Sequence, residues 1–305
     1  MPGRTDALLA TGFVLTWSSG FIGAELGTRD APATTLLAWR FIIAFGLLGA
    51  WAIWRRRRIP RRDLALHVII GVLGQAGYLY GVFAAVEHGV ASGTTALICA
   101  LQPIVAVALA VPLLGESVRA RQVAGFVIGL GGVALVVGAD LEAVPGVPLL
   151  AYTLPVGAML ALVAATLVER RTRPRIGLVD ALTVQAGVSA VIFSVLSAGT
   201  GTLAPPATPT FWIAIAVLVV VAMFGGYGLY WINLARTGVA RVSSLLYLTP
   251  PATMAWSWLM FGTTLTPVSL LGVLVCAVAV VLIRTRETSV RRPALPAANR
   301  PCRAP

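Results

Sequence analysis

The chain has 305 residues, of which 58% are hydrophobic and only 11% charged, and its mean hydropathy is +0.89. Soluble domains carry roughly a quarter charged residues, so a chain this apolar cannot cover a water-facing surface, and its natural solvent is lipid. The net charge of +12 comes from 23 arginines and no lysine; they lie in short clusters between apolar runs, which excludes the single folded basic surface that a nucleic-acid groove needs.

A membrane helix needs roughly 20 mostly apolar residues, and ten such segments follow one another along the chain. They are Ala7–Leu26, Ala33–Trp54, Leu64–Val86, Ala91–Leu114, Ala120–Gly138, Leu149–Val168, Leu178–Ala198, Phe211–Leu234, Ala240–Phe261 and Leu265–Ile283. The first is read as a retained helix and not as a cleaved signal, because its n-region is weak: Arg4 is offset by Asp6. Arginines fill alternate loops. Arg55 to Arg58 with Arg61 and Arg62 follow the second segment, Arg119 and Arg121 the fourth, Arg170, Arg171, Arg173 and Arg175 the sixth, and Arg236 and Arg241 the eighth. The loops between are nearly free of arginine, and the one after the fifth segment is acidic, with Asp140 and Glu142. By the positive-inside rule both termini face the cytoplasm of an inner (plasma) membrane. Residues 284–305 are rich in arginine and proline and read as a disordered cytoplasmic tail. Cys99 and Cys276 fall inside apolar runs and Cys302 in the tail, with no spacing that suggests a disulfide framework or a metal site.

The sequence repeats itself. Pro103, Gly115 and Gly125 recur as Pro250, Gly262 and Gly272, each 147 residues later, and Leu79, Tyr80 and Ala85 echo in Leu229, Tyr230 and Ala235. Two halves of five helices follow, residues 7–138 and 149–283. Five is odd, so the second half starts on the opposite side of the membrane. The expected fold is an all-α membrane protein of ten transmembrane helices in two inverted five-helix repeats. That arrangement lets one scaffold hold outward-open and inward-open states around a midplane site, as secondary transporters do.

At this point the motifs resemble a known family. Leu101-Gln102-Pro103, then Leu114-Gly115-Glu116 and the glycines from Gly125 to Gly132, resemble the helix 4 to helix 5 signature of the drug/metabolite transporter superfamily, EamA type. Trp17-Ser18-Ser19-Gly20-Phe21 looks like its first-helix element, and Arg40-Phe41 like its second-helix pair. The resemblance runs from about Leu8 to Ile283 and implies a ten-helix metabolite carrier, often an exporter. One departure is Thr263, where the family often has a glutamate that would match Glu116.

Several residues are candidates for function. Pro103, Pro250 and Pro251 would interrupt their helices and free carbonyls toward a cavity or a packing kink. Arg40 lies at depth, where a charge costs at least about 2.5–3.5 kcal/mol unless it is partnered; it either attracts a substrate carboxylate or snorkels toward the outer face. Glu25 and Glu87, near outer helix ends, are candidates for proton coupling or else solvated loop acids. His88 shares that loop position, and His67 reads as interfacial. The neutral candidates for a substrate cavity are Trp17, Ser19, Gln75, Tyr78, Tyr80 and Gln102 from the first half, and Gln185, Tyr227, Tyr230, Asn233 and Tyr247 from the second. Polar side chains in membrane helices need partners, so these either line a cavity or pair helices; the repeated Tyr80 and Tyr230 are favoured.

The leading functional reading is a secondary carrier that exports a small metabolite such as an amino acid by alternating access, as a monomer or homodimer in the lipid bilayer. No Walker-type P-loop occurs, and no cofactor or metal is implied. The alternatives are a multidrug or organic-cation efflux carrier and a membrane-embedded enzyme. The enzyme reading lacks a cluster of acids, histidines or an activated nucleophile.

Overall fold

The structure is a computed structural model, and it describes residues 4–56, 59–102, 105, 106, 109, 120–143, 146–237, 242 and 245–283. Among these residues it is all helix, with no strand. Seven helical stretches are long and apolar enough to cross a membrane: Arg4–Gly27 (α1), Ala33–Trp54 (α2), Arg61–Glu87 (α3), a fifth helix of which Val123–Glu142 is the apolar part, Leu149–Thr172, Leu178–Gly199 (α7) and Pro209–Thr237 (α8). The fifth helix, α5, spans Ala120–Ala143, and α6 spans Thr153–Thr172 after one 3₁₀ turn, Leu149–Tyr152. Shorter helices are Ser92–Cys99 (α4), Thr249–Phe261 (α9) and Pro267–Ile283 (α10).

Large apolar side chains such as Leu47, Val127, Val195 and Leu259 face outward. In water such a surface would aggregate; against lipid tails it is at home. Inside, Phe41, Phe83, Phe193, Phe211, Leu36 and Leu218 are almost wholly buried and form the main core of α1, α2, α3, α7 and α8.

α5 packs broadly against α10, α2 against α7, α1 against α8 and α3 against α6, and α4 meets α9. Exchange the two halves, so that α1 trades with α6, α2 with α7 and so on, and this set of pairs maps onto itself. Glycine makes the closest of these contacts possible. A Cβ on Gly132 would stand 2.9 Å from the Gly272 carbonyl oxygen, and one on Gly272 2.7 Å from that of Gly132, so α5 and α10 touch backbone to backbone. A Cβ on Gly81 would stand 2.7 Å from the Leu154 carbonyl oxygen, at the α3/α6 contact. These are small-residue contacts within the bundle.

Three features depart from the sequence reading. First, α3 and α8 each contain a π-helical stretch, Val72–Gly77 and Val217–Gly225, and each stretch ends on a glycine. Second, Pro250 and Pro251 do not bend the interior of a helix. They sit in the first turn of α9, after the turn at Tyr247 and Leu248. Proline is tolerated there because the first-turn N–H groups have no partner within the helix. Pro103 lies outside the described residues, as do Gly115, Glu116 and the tail 284–305.

Third, Asp140 belongs to α5 and not to a loop. It is 9% exposed, and its Oδ2 accepts hydrogen bonds from the Tyr152 hydroxyl at 2.9 Å and the Ala91 N–H at 3.3 Å. One carboxylate thus ties the end of α5 to the starts of α4 and α6.

Candidate functional site

Close to the π-helical stretches, side chains from five helices converge. On α8, Gly225 and Gly226 let α1 approach: a Cβ on Gly226 would stand 3.5 Å from the Trp17 ring. Trp17 therefore meets Tyr227 edge-on, with centroids 5.6 Å apart, and Tyr230 at 6.2 Å. Phe13 completes the aromatic cluster, 5.4 Å from Trp17 and 5.9 Å from Tyr230.

Gln75 lies in the π-helical stretch of α3. Its Nε2 donates to the Tyr227 hydroxyl at 3.3 Å and to Gln185 Oε1 at 3.4 Å. Gln185 comes from α7, which packs tightly here because Gly71 has no side chain; a Cβ on it would stand 2.9 Å from the Gln185 Cα. The Gln185 amide nitrogen donates in turn to His67 Nδ1 at 3.1 Å. A continuous chain of side chains, His67–Gln185–Gln75–Tyr227, thus crosses between the two halves of the protein.

Arg40 reaches the same region from α2. It does not snorkel: the residue is 6% exposed, with Phe41 and Phe83 ring centroids 5.5 and 5.7 Å from its guanidinium carbon. Tyr227 and Tyr78 lie within electrostatic reach. Two of its nitrogens, Nε and Nη1, are buried and have no hydrogen-bond partner among the described residues. A buried guanidinium with free donors is costly unless something ionic meets it.

The fold therefore brings together Trp17, Arg40, Gln75, Tyr78, Gln185, Tyr227 and Tyr230. It places the other candidates elsewhere. Tyr80 is 42% exposed, with its ring against Phe193, so it does not share the surroundings of Tyr230. Ser19 donates to the Thr16 carbonyl in its own helix. Gln102 donates to Thr166 Oγ1 at 3.4 Å, linking the α4 region to α6. Asn233 is buried and donates to the carbonyls of Leu9 and Leu229, joining α8 to α1. Tyr247 packs against Leu101 and Met159.

Glu25 and Glu87 are tied at one end of the bundle. Glu25 Oε2 accepts from the Ser257 hydroxyl at 3.0 Å, and Arg29, 3.5 Å from Glu25 Oε1, lies over the Phe261 ring. Glu87 is exposed and accepts from the Ala33 N–H at 3.1 Å, where Pro32 offers α2 no side-chain cap. A separate crevice, lined by Thr94, Asp140, Ser257, Thr263, Thr266 and Ser269, shares no residue with the Arg40 site. No group of three or more potential metal ligands occurs among the described residues.

Sequence reasoning missed Phe13, His67 as a partner of Gln185, and the π-helical stretches. The pairs Gly71/Gln75 and Gly225/Gly226 were the available signals, since each puts a glycine close to a polar or aromatic side chain.

Comparison with known proteins agrees with this architecture. The model of the EamA-like transporter family matches twice, over residues 5–138 and 149–285. The chain is 28% identical over 290 residues to a probable terminal-alkyne amino-acid exporter of Streptantibioticus cattleyicolor, covering 92% of this chain and 94% of the relative. It is 25% identical over 279 residues to a probable amino-acid metabolite efflux pump of Salmonella typhimurium, covering 88% and 91%. It is 24% identical over 282 residues to the pump of the same description in Escherichia coli, with the same coverage. A crystal structure at 20% identity has the same fold, with a TM-score of 0.59 over 92% of this chain and 97% of the other. The chain therefore belongs to the EamA-like transporter family and is a multi-pass membrane transporter of a small molecule, not an enzyme.

Proposed function

We propose that this chain exports an amino-acid-like carboxylate across the inner membrane by alternating access, with Arg40 as the carboxylate anchor. The observation that carries this reading is the burial of Arg40 with two unpartnered nitrogens. A guanidinium presents donors in a planar fork that matches two carboxylate oxygens. The aromatic faces of Trp17, Tyr227 and Tyr230 suit the cationic amine of the same ligand. The names of the relatives, probable exporters and efflux pumps of amino-acid compounds, support the substrate class.

The seven long spans together with α4, α9 and α10 support a ten-span topology in two inverted repeats, 7–138 and 149–283, with the tail 284–305 and both termini in the cytoplasm. The exchange symmetry of the helix pairs supports the same reading. A single chain then supplies both halves of the cavity. The π-helical stretches in α3 and α8 flank the site, and such bulges are frequent at functional positions.

Reconstituted protein tests this. Labelled amino acids should show saturable counterflow in proteoliposomes, and Arg40→Met should abolish it in protein that elutes as a folded species. Counterflow of organic cations with none of any amino acid would overturn the carboxylate reading in favour of a cation carrier.

A further inference from the structure

The chain His67–Gln185–Gln75–Tyr227 has a direction, and the direction is fixed by chemistry. An amide nitrogen only donates, so Gln185 Nε2 at 3.1 Å makes His67 Nδ1 an acceptor. The imidazole is then neutral, with its hydrogen on Nε2. Gln185 Oε1 must accept from Gln75, and it does, at 3.4 Å. The second hydrogen of Gln75 Nε2 goes to the Tyr227 oxygen at 3.3 Å. Tyr227 is thereby an acceptor toward Gln75, and its own hydroxyl hydrogen is left for another acceptor, with Arg40 within electrostatic reach.

Add one proton to His67 at Nδ1. Both ring nitrogens now carry hydrogen, Nε2 still buried and without a partner among the described residues, and Gln185 must offer its oxygen to Nδ1 instead of its nitrogen. Its nitrogen turns toward Gln75, which must offer its own oxygen. That oxygen can take the Tyr227 hydroxyl hydrogen. Every bond in the chain reverses, no covalent bond changes except N–H formation at His67, and the Tyr227 hydrogen leaves the Arg40 site.

We propose that His67 is the proton-coupling residue of this carrier, and that its protonation reverses the hydrogen bonds through Gln185 and Gln75 so that Tyr227 ceases to be a donor to a carboxylate held by Arg40. The proposal rests on the carboxylate reading of Arg40. Proton and substrate then oppose each other at one site, as exchange of one for the other requires, and linkage makes the opposition mutual. His67 is 3% exposed, near the arginine-rich end of α3. The charged groups around it are Glu169 from α6 and Asp63 from its own helix. The other helix packed on this end, α7, carries Asp180 in its first turn, and Arg170 and Arg171 near the end of α6 are exposed.

Two measurements decide the matter. The chain has two histidines, so in a His88→Gln background the ring ¹⁵N signals belong to His67 alone. The ¹³Cζ signal of Tyr227, assigned with Tyr227→Phe, reports whether its hydroxyl donates. In nanodiscs without ligand, the His67 ring should pass from the Nε2–H form to the imidazolium between about pH 8 and about pH 5, and the Tyr227 signal should move in step. Gln185→Leu, or Gln75→Leu if the first does not fold, should leave the histidine titrating and hold the tyrosine still. A tyrosine signal that ignores the histidine, or a histidine that never titrates in this range, would overturn the proposal. In proteoliposomes with labelled amino acids, wild-type apparent affinity should fall severalfold from about pH 8 to about pH 5, approaching the roughly tenfold that the loss of one hydrogen bond to a charged group allows, and His67→Gln should flatten the profile. A pH-independent wild type would also overturn it. If no amino acid exchanges, the Arg40 reading fails, and the ligand-free spectra still decide whether the relay exists.

Discussion

The Tyr152 hydroxyl donates to Asp140 Oδ2 at 2.9 Å, and both residues are buried. This bond holds the end of α5 against the turn that starts α6. Tyr152→Phe keeps the ring and removes one of the donors that stabilise the carboxylate. A hydrogen bond to a charged group is worth about 1.5–3 kcal/mol, so the apparent melting temperature in detergent should fall by several degrees. Asp140→Ala, which removes the common acceptor of Tyr152 and Ala91, should cost more. Melting curves that coincide with wild type for both would show the contact to be idle.

Arg40→Lys separates charge from shape. The ammonium keeps the attraction for a carboxylate but loses the planar fork. Amino-acid counterflow should persist with the half-saturating concentration raised about tenfold, the equivalent of about 1.4 kcal/mol, whereas Arg40→Met should show none. Equal kinetics for the lysine variant would mean that no bidentate contact forms.

Tyr80 and Tyr230 are echoes in sequence but not in surroundings. Tyr230 sits with Phe13 and Trp17, while Tyr80 on α3 is 42% exposed, against Phe193. Tyr230→Ala should reduce amino-acid counterflow at least tenfold, because an aromatic wall of the site is gone. Tyr80→Ala should stay within about twofold of wild type by the usual tolerance of exposed positions. The reverse order would place the substrate against α3 and α7 instead.

Adjacent glycines on α5 give a sharp contrast. A Cβ on Gly131 meets nothing within 4 Å, whereas one on Gly132 would collide with Cys276 and the backbone of Gly272. Gly131→Leu should express and purify like wild type. Gly132→Leu must push α10 away and should yield little folded protein by size-exclusion chromatography. Comparable yields would mean that α5 and α10 tolerate separation.

Much of the fold was legible because the bilayer writes it in simple terms. The bounds of α2, Ala33 and Trp54, coincide with expectation, since Pro32 and the run from Arg55 punctuate an uninterrupted apolar stretch. The fifth segment is longer than its apolar run predicts: the run ends at Gly138, where the polar Asp140 and Glu142 follow, yet α5 continues to Ala143. A buried partner, Tyr152, makes an aspartate acceptable inside a helix, and no local pattern announces that partner. The π-helical stretches were invisible for a similar reason. They arise where α3 and α8 accommodate other helices, and no residue preference marks them. Residue types that need partners were visible one by one: Gln75, Gln185 and Tyr227 all stood out. That they bond to one another, and that His67 joins them, depends on contacts across more than a hundred residues of sequence, the 110 that separate Gln75 from Gln185 among them.

The pairing of α1 with α8, α2 with α7, α3 with α6, α4 with α9 and α5 with α10 bears on how the protein is made. Each of these contacts joins an early helix to a late one. As the ribosome releases the first five helices, their main partners do not yet exist, so the nascent half waits in the bilayer with its glycine faces bare. Folding must follow insertion instead of accompanying it. A gene cut between residues 143 and 146 and expressed as two polypeptides should still yield one complex, whereas either piece alone should be degraded.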